Sequence, residues 1–377
     1  MVGNKAGYDI YTFMTECNID VLLLTDGYNI HYLSGYKGHT GCMLSFGKSK
    51  YILTDSRYTE QVTIEAPDYI CVDIGMDGYS KKVTSLLCEY MPKTSFNTAN
   101  KLRIGFENKH ISYEQFNAFN KAMEEEYYTA YEFVPLDEKV NDLRMIKSAE
   151  EIEYIAIAES IGDKAFSRIL EVLAPGMTEK EIALELEYTM KKLGADGISF
   201  DTIAATGRNS SLPHAVPTEA VLTEGDFLTM DFGCIYKGYC SDMTRTVFIG
   251  NNPSPKQKMI YDLVLRAQTE AMAHIKPGVK CSDVDAIARD IISNEGYGDF
   301  FGHGLGHSVG LYIHESPRCS RKCDTILESG MTMTVEPGIY LPGDFGVRIE
   351  DLVLVTDQGY RNLTSSPKQL ICINRTI

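Results

Sequence analysis

The sequence predicts two domains: a smaller α/β domain is followed by a larger α+β domain that contains an internal duplication. The first observation is length, because 377 residues exceed what a single hydrophobic core usually supports. The second is an alternation of strand-like and helix-like segments over residues 1–125. Residues 126–144 show no long period and are predicted to be a linker. The third observation is a repeated order of elements between residues 145 and 377.

The elements of the first domain follow from short patterns. Ile19–Tyr36 predicts a buried strand, a polar turn and a short helix. Cys42–Tyr58 contains two strand-like runs around "GKSK", which indicates a hairpin. Lys101–Glu107 predicts another strand. This mixture is typical of a compact α/β domain.

The second domain begins with two helices whose starts are marked in the sequence. Ser148 and Glu151 have the spacing of a capping box, in which each side chain satisfies a backbone N–H at the start of a helix. The helix that they begin is predicted to end at Pro175-Gly176. Thr178 and Glu181 repeat the same spacing and predict a second helix. A strand-rich stretch follows.

The same order of elements returns later in the chain at a nearly constant offset. The matches are Pro175-Gly176 with Pro277-Gly278, Ile182 with Val284 and Gly194 with Gly296, each 102 residues apart, and Gly225–Gly233 with Gly330–Gly338, 105 residues apart. This alignment places Asp231 on Glu336. Residues from about 145 to the end are therefore predicted to form two related helix–helix–sheet halves of one domain.

Composition limits the classes of partner and compartment. A net charge of −16 opposes binding to nucleic-acid backbones or anionic membranes. No apolar run approaches the length of a membrane span, and the first residues lack the pattern of a secretory signal. The ten cysteines are scattered, with Cys319 and Cys323 as a weak zinc signal, so reduced thiols and a cytoplasmic location are expected.

Two pairs of acidic residues flank predicted turns in the two halves. Asp231 and Asp242 have their midpoint at Tyr236-Lys237, just before a glycine, and Glu336 and Glu350 have theirs at Gly343. If strands pair symmetrically about each turn, opposed side chains lie about 5 Å apart on one face. Carboxylates this close cannot all stay ionised without a compensating cation, so the pattern predicts a divalent metal site. The plainer interpretation is that each acid is solvated or pairs with an arginine such as Arg245 or Arg348.

Four of the eight histidines lie near these acids in two segments. They are His214 in "SSLPHAVPT" and His303, His307 and His314 in "FGHGLGHSVGLYIHESP". The interspersed glycines disfavour a helical histidine motif and allow close backbone approach. One imidazole with four carboxylates is an oxygen-rich ligand set. It suits two divalent ions, Mn²⁺ or Co²⁺, with Zn²⁺ as a further alternative.

Four blocks of the sequence together resemble the pita-bread metallopeptidases, the family of aminopeptidase P, prolidase and methionine aminopeptidase. The blocks are "MDFGCIYKGYCSDMTRT", "FGHGLGHSVGLYIHESP", "TVEPGIY" and "GVRIEDLVLVT". The resemblance extends from about Leu143 onward, and the first 120 or so residues resemble the creatinase-type N-terminal domain. It implies a pita-bread catalytic domain with pseudo-twofold symmetry, preceded by a smaller creatinase-type domain.

The resemblance also implies a role for each matching residue. The metal ligands would be Asp231, Asp242, His307, Glu336 and Glu350, with Asp242 and Glu350 bridging two ions. A hydroxide made available by the metals would attack the scissile carbonyl, with Glu336 as the proton shuttle. His214 and His314 would bind substrate and the tetrahedral intermediate. His303 would line the site, Arg348 would lie behind the ligands, and Tyr340 would lie near the metals.

The predicted activity is hydrolysis of the Xaa-Pro bond at the N-terminus of peptides, as in a bacterial-type Xaa-Pro aminopeptidase. The alternative is a Xaa-Pro dipeptidase (prolidase), and the alternative from another class is a non-catalytic pita-bread binding module. Creatinase shares the fold but lacks this carboxylate set. In this family, the length of peptide that is accepted depends on loops around the site. The candidate loop in this sequence is Ser34–Thr40, in which His39 is the polar residue expected to bind substrate. The expected partners are short proline-containing peptides and a second copy in a homodimer, with no nucleic acid and no membrane.

Overall fold

The computed structural model describes residues 9–38, 40–91, 95–127 and 129–374. The chain divides into two compact units, one up to Arg144 and one from Met145 on. His39 lies outside the described residues, so its predicted role in substrate binding stays a prediction. In the described part of the chain, no helix is both long and apolar enough to cross a membrane.

The first unit contains a mixed sheet with helices around it. Its helices are α1 (Ile10–Glu16), α2 (Gly27–Ser34), α3 (Thr59–Glu65), α4 (Gly78–Tyr90), α5 (Tyr113–Tyr127) and α6 (Lys139–Asp142). Its strands are β1 (Val21–Leu24), β2 (Cys42–Phe46), β3 (Ser49–Thr54), β4 (Ile70–Asp73), β5 (Leu102–Phe106) and β6 (Tyr131–Pro135). Their order across the sheet is β4-β3-β2-β1-β5-β6. The central strand β1 is buried on both faces, which explains its continuous apolar sequence.

The predicted elements of this unit are confirmed, but the predicted linker differs. Strands β2 and β3 form the expected hairpin, in which Phe46 pairs with Ser49. Residues 126–144 supply the end of α5, the edge strand β6 and helix α6 instead of a bare connection. The physical reason is aromatic packing, since the ring of Phe133 in β6 lies 5.5 Å from Phe106 and 5.2 Å from Phe116.

The second unit repeats a helix pair followed by antiparallel strands. The first half contains α7 (Ala149–Val172), α8 (Glu179–Lys192), β7 (Gly197–Ile198), β8 (Ile203–Thr206), β9 (Phe227–Phe232), β10 (Cys234–Tyr236), β11 (Tyr239–Cys240) and β12 (Met243–Ile249). The second half contains α9 (Pro255–Ala273), α10 (Cys281–Asn294), β13 (Gly306–Ser308), β14 (Glu315–Cys319), β15 (Thr332–Val335), β16 (Gly338–Tyr340), β17 (Gly346–Arg348), β18 (Asp351–Thr356) and β19 (Gly359–Asn362), and β20 (Cys372–Ile373) follows. Both predicted capping boxes are present, at Ser148 and at Thr178. The matched order of elements agrees with an internal duplication.

The hairpin of the first half has a register two residues away from the predicted one. Its tight turn lies at Lys237-Gly238, where both residues have positive φ (53° and 87°), and glycine accepts this conformation without strain. Asp231 therefore pairs with Thr244, so the prediction that it directly opposes Asp242 is wrong. Because side chains alternate along a strand, Asp242 still lies on the same face, diagonally from Asp231.

The hairpin of the second half has the predicted register. Thr332 pairs with Leu354 in one ladder and Gly338 pairs with Arg348 in the next, so both ladders are symmetric about Gly343. Glu336 and Glu350 occupy opposite positions in the gap between these ladders. Their backbone N–H groups donate outside the hairpin, to the carbonyls of Leu305 and Thr244 respectively. Glu350 reaches the other half, where its Oε2 accepts from the Thr244 hydroxyl, whereas Glu336 Oε1 lies near Thr334 and His307 of its own half.

Candidate metal centre

Three carboxylates from the two halves converge at one point. Oxygen atoms of Asp231, Asp242 and Glu350 all lie within 4.8 Å of one another. Asp231 is in β9, Asp242 immediately precedes β12, and Glu350 immediately precedes β18. Asp242 is 4% exposed and Glu350 is 1% exposed. The duplication thus brings acids that are far apart in sequence to one buried cluster.

The hydrogen bonding of this cluster leaves room for a cation. In the part of the chain that the structure describes, the buried carboxylate oxygens without a hydrogen-bond partner are Asp231 Oδ1, Asp242 Oδ1 and Glu350 Oε1. An unpaired buried carboxylate oxygen is costly, and three of them together are explained by a shared positive charge. The donor set therefore fits divalent metal ions.

Electrostatics support the same conclusion. Burial, followed by the charges of Glu350 and Asp231, raises the pKa of Asp242 well above its usual value. Burial and the charge of Glu336 do the same to the pKa of Glu350. Burial raises the pKa of Glu336 to about 8, against an opposing effect of Arg348. Without a cation the fold therefore favours the protonated form of each of these acids, and a bound metal would reverse this.

His307 faces the carboxylates as a neutral imidazole. Its Nε2 atom lies 3.5 Å from both Asp242 Oδ2 and Glu336 Oε1. Its Nδ1–H donates to the Ser308 carbonyl at 3.1 Å, which leaves the Nε2 lone pair directed at the cluster. Burial, with a contribution from His314, lowers the pKa of His307 to about 3. The preceding Gly306 lets β13 approach β15, because a Cβ there would collide with the carbonyl of Thr334.

A chain of hydrogen bonds supports the cluster from one side. Arg348 Nη2 donates to Asp231 Oδ2 at 2.6 Å, and Nη1 donates to the Tyr340 hydroxyl at 2.7 Å. His303 Nδ1–H donates to the Gly304 carbonyl at 2.8 Å, so Nε2 accepts from the Tyr340 hydroxyl at 2.9 Å. Burial lowers the pKa of His303 to about 4, which keeps it neutral. The chain orients Asp231 and leaves His303 beside the cluster.

A cavity of about 790 Å³ opens onto the cluster. Of the residues predicted for the site, the cavity is lined by His214, Asp231, Asp242, His303, His307, His314, Glu336, Arg348 and Glu350. Tyr340 lies behind them, bonded to Arg348 and His303. Both His214 and His314 are exposed in this cavity, where they can contact a bound molecule.

Three residues of this site were not found from the sequence. Thr244 donates to Glu350 Oε2 at 2.7 Å and accepts from Arg348 Nε at 3.1 Å. Glu159 accepts from the backbone N–H of Asp242 at 3.2 Å, and burial raises its pKa to about 8. An acid on the apolar face of α7 is a signal that could have identified Glu159. Arg318, in β14 and exposed in the cavity, directly follows the histidine segment that ends at Pro317, and this position is the signal that could have identified it.

Comparisons with known proteins assign this architecture to a family. The model described as "Metallopeptidase family M24" matches residues 153–357, more than half of the chain. The chain belongs to metallopeptidase family M24. The model of the "Creatinase/Prolidase N-terminal domain" matches residues 9–146. The predicted pita-bread fold with a creatinase-type N-terminal domain is therefore confirmed.

Individual relatives of this M24 chain cover nearly its whole length. The structure of a Xaa-Pro dipeptidase from Bacillus anthracis is 42% identical with a TM-score of 0.86, over 95% of this chain and 96% of that one. A Xaa-Pro dipeptidase of Pyrococcus furiosus is 38% identical over 95% of this chain and 97% of its own. The structure of an X-Pro aminopeptidase from Thermotoga maritima is 36% identical with a TM-score of 0.83, over 94% of this chain and 98% of that one. The M24 chain is a metallo-exopeptidase rather than a non-catalytic module.

Proposed function

We propose that this M24 enzyme hydrolyses the Xaa-Pro bond of short peptides, with dipeptides as the preferred substrates. The observation that carries the proposal is the buried cluster of Asp231, Asp242 and Glu350, whose unpaired oxygens open onto a cavity that also holds Arg318. The similar dipeptidases from Bacillus anthracis and Pyrococcus furiosus support the choice of dipeptides. Aminopeptidase P activity is the second candidate, supported by the similarity to the Thermotoga maritima enzyme.

Five side chains would hold the metals: Asp231, Asp242, His307, Glu336 and Glu350. Bound divalent ions supply Lewis acidity and a nucleophile at neutral pH. Mn²⁺ is the proposed ion, with Co²⁺ and Zn²⁺ as alternatives, because four of the five side chains offer oxygen ligands. Glu336 is proposed to carry a proton on Oε1, the atom 3.5 Å from His307 Nε2, toward the leaving nitrogen.

The remaining groups of the cavity would bind and orient the peptide. His214 and His314 would donate to the scissile carbonyl and its developing negative charge. His303 would line the peptide-binding cavity, with Tyr340 behind it as its hydrogen-bond partner. A prolyl amide has no N–H to be held, so recognition depends on shape and on other groups of the substrate.

Arg318 gives the site a means of recognising a dipeptide. It lines the same cavity as the carboxylate cluster, and it pairs with His307 across strands β13 and β14. In a Xaa-Pro dipeptide the free carboxylate follows the scissile bond by one residue, so a guanidinium in the same cavity as the proposed metal ligands suits it. A longer peptide has no charge at that position.

An activity panel tests this proposal. Purified protein loaded with Mn²⁺, Co²⁺ or Zn²⁺ is given Ala-Pro, Ala-Pro-Ala and Ala-Ala at equal concentrations. We expect turnover of Ala-Pro above Ala-Pro-Ala and none of Ala-Ala. A preference for Ala-Pro-Ala supports aminopeptidase P instead, and failure to cleave either prolyl substrate with any metal contradicts the proposal.

We also propose a cytoplasmic homodimer. The ten cysteines are free, which suits a reducing compartment. Leu184 and Tyr188, one turn apart on α8, are 66% and 57% exposed, and apolar side chains of this size favour a contact with a second copy. Light scattering of the purified protein gives the mass, and a monomer at micromolar concentration contradicts the dimer.

A further inference from the structure

Three cysteines from two segments meet at the N-terminus of α10, apart from the metal ligands. Cys281 is the first residue of this helix. The loop after β14 lies across it, with the N–H of Cys281 donating to the Thr325 carbonyl at 3.0 Å. The next N–H, of Ser282, donates to the Cys323 carbonyl at 3.0 Å. These backbone bonds hold the Cys323 segment against the start of the helix.

The three thiols differ in access and in environment. Cys281 and Cys319 are fully buried, whereas Cys323 is partly exposed. The Cys319 thiol donates to the Cys281 carbonyl at 3.1 Å. Hydrogen bonds from Cys319 and then from Cys323 lower the pKa of the Cys281 thiol, and the start of a helix also favours a thiolate. Cys281 is therefore a protected nucleophile beside a reachable thiol.

We propose that Cys281 and Cys323 are an oxidisable pair that hydrogen peroxide converts into an intramolecular disulfide. Cys323 is the partner that peroxide reaches, since it alone of the three is partly exposed. Cys281 is the resolving thiol, held next to Cys323 by the bond between Ser282 and the Cys323 carbonyl. The buried Cys319 thiol donates to the Cys281 carbonyl and so ties β14 to the start of α10.

The chemistry balances with peroxide as the oxidant. The Cys323 sulfur attacks one oxygen of hydrogen peroxide, the O–O bond breaks, and one water leaves, which gives a sulfenic acid. The Cys281 thiolate then attacks the Cys323 sulfur, the S–S bond forms and the S–O bond breaks. Hydroxide leaves and takes up the proton released by Cys281 as a second water. Two thiols are oxidised and one peroxide is reduced to two waters.

The pair lies outside the groups assigned to peptide hydrolysis, so it can be tested without an activity assay. Trypsin separates the three cysteines, because Lys280, Arg318 and Lys322 each precede one of them. The full chain is treated with peroxide, free thiols are alkylated, and tryptic peptides are analysed by mass spectrometry without reduction. We expect the peptide beginning at Cys281 to be joined to the peptide beginning at Cys323.

Two variants and one control define the pair. Cys323→Ser should abolish the cross-link, and Cys281→Ala should leave a Cys323 sulfenic acid that dimedone traps. Cys372→Ser, which removes the exposed cysteine of β20, should retain the cross-link. If Cys281→Ala does not fold, the peptide map of the oxidised wild-type protein still shows whether Cys281 and Cys323 are joined. Joining of Cys319 to Cys323, or peroxide treatment that leaves Cys281 fully alkylated, overturns the proposal.

Discussion

At the scale of single residues, the site combines acids that a cation must compensate with two histidines, His303 and His307, that burial keeps neutral. Asp242 is the clearest test of the ligand set because it is buried and one of its oxygens has no partner. Replacing it with Asn keeps the shape and removes the charge. We expect metal binding to fall below one ion per chain and kcat/KM to drop on the order of 10³-fold, the scale of metal-ion catalysis. Elemental analysis and Ala-Pro turnover measure the two effects.

Asp201→Asn is the matched control for that substitution. Asp201 lines the same cavity but is exposed and lies outside the carboxylate cluster. The metal content and turnover of this variant should stay within about twofold of the wild-type protein, since solvent screens the charge of an exposed acid outside the cluster. An Asp242→Asn protein that retains two ions and full activity contradicts the ligand assignment.

Arg318 is the residue on which the preference for dipeptides is expected to depend. Losing a charge-assisted hydrogen bond to the substrate carboxylate should raise KM for Ala-Pro about tenfold in Arg318→Gln. KM for Ala-Pro amide, which has no carboxylate, should change little. Arg321→Gln, a nearby arginine that is absent from the cavity lining, is the control. Equal effects on the acid and the amide would contradict recognition of the carboxylate.

At this scale the sequence allowed prediction of residue types but not of their surroundings. Acids and histidines at duplicated positions are visible as letters, so the cluster of Asp231, Asp242 and Glu350 could be predicted. The sequence marks Glu159 and Arg318 as unusual residues in α7 and β14, but it does not say that their side chains reach a metal centre. Their position depends on how α7 and β14 pack, which a single sequence does not specify.

At the scale of elements, the two hairpins show what spacing can and cannot decide. The glycine of "LPGD" defines the centre of the second hairpin, and its register was predicted correctly. In the first hairpin the two positive-φ residues are Lys237 and Gly238, so the centre lies one position later than the midpoint of the acids. Turn conformation therefore determines register, and the spacing of functional residues does not.

A buried ion pair fixes the segment that carries two of the histidines. Lys147 Nζ lies 3.1 Å from Glu315 Oε2 and 2.9 Å from Ser308 Oγ, and both charged side chains are at most 3% exposed. Ser308 follows His307 and Glu315 follows His314, so the pair closes the loop between the histidines. Lys147→Met removes the cation beside the buried Glu315 carboxylate and should reduce the free energy of unfolding by about 3–5 kcal/mol.

A double-mutant cycle separates pairing from packing. Lys147→Met/Glu315→Gln removes both charges and should be more stable than Lys147→Met alone in urea unfolding. Lys256→Met is the matched control, because its partner Asp344 is at 2.7 Å but both side chains are at least 50% exposed. That exposed pair should contribute no more than about 1 kcal/mol. A single variant as stable as the double variant would contradict the role of the buried pair.

At the scale of the whole molecule, the carboxylate cluster links stability to pH and to metal. The folded chain holds Glu336 with a pKa of about 8, whereas its ordinary value is 4.5. The folded state therefore binds more protons than the unfolded state across that interval. The stabilisation that proton binding by Glu336 contributes is fully present below about pH 4.5 and is lost as the pH rises to about 8. Asp242 and Glu350, whose pKa values are also raised, act in the same direction.

The buried histidines act in the opposite direction but at lower pH. His303 and His307 have pKa values lowered from 6.5 to about 4 and about 3, so they destabilise the fold only as the pH falls below 6.5. Between pH 6.5 and 8 the change in folding stability with pH therefore comes from the acids. We expect the Tm of the metal-free protein to fall as the pH is raised across this window, as measured by calorimetry in EDTA.

Metal should reverse that trend, since ions compete with protons for the same oxygens. The increase in Tm caused by Mn²⁺ should therefore be larger at pH 8 than at pH 6.5, because fewer protons must be displaced at the higher pH. Calorimetry with and without Mn²⁺ at both pH values measures this difference, and Asp242→Asn should show a much smaller increase at either one. A Tm increase independent of pH would mean that the ions bind groups already ionised at pH 6.5, and the buried cluster would then not be their site.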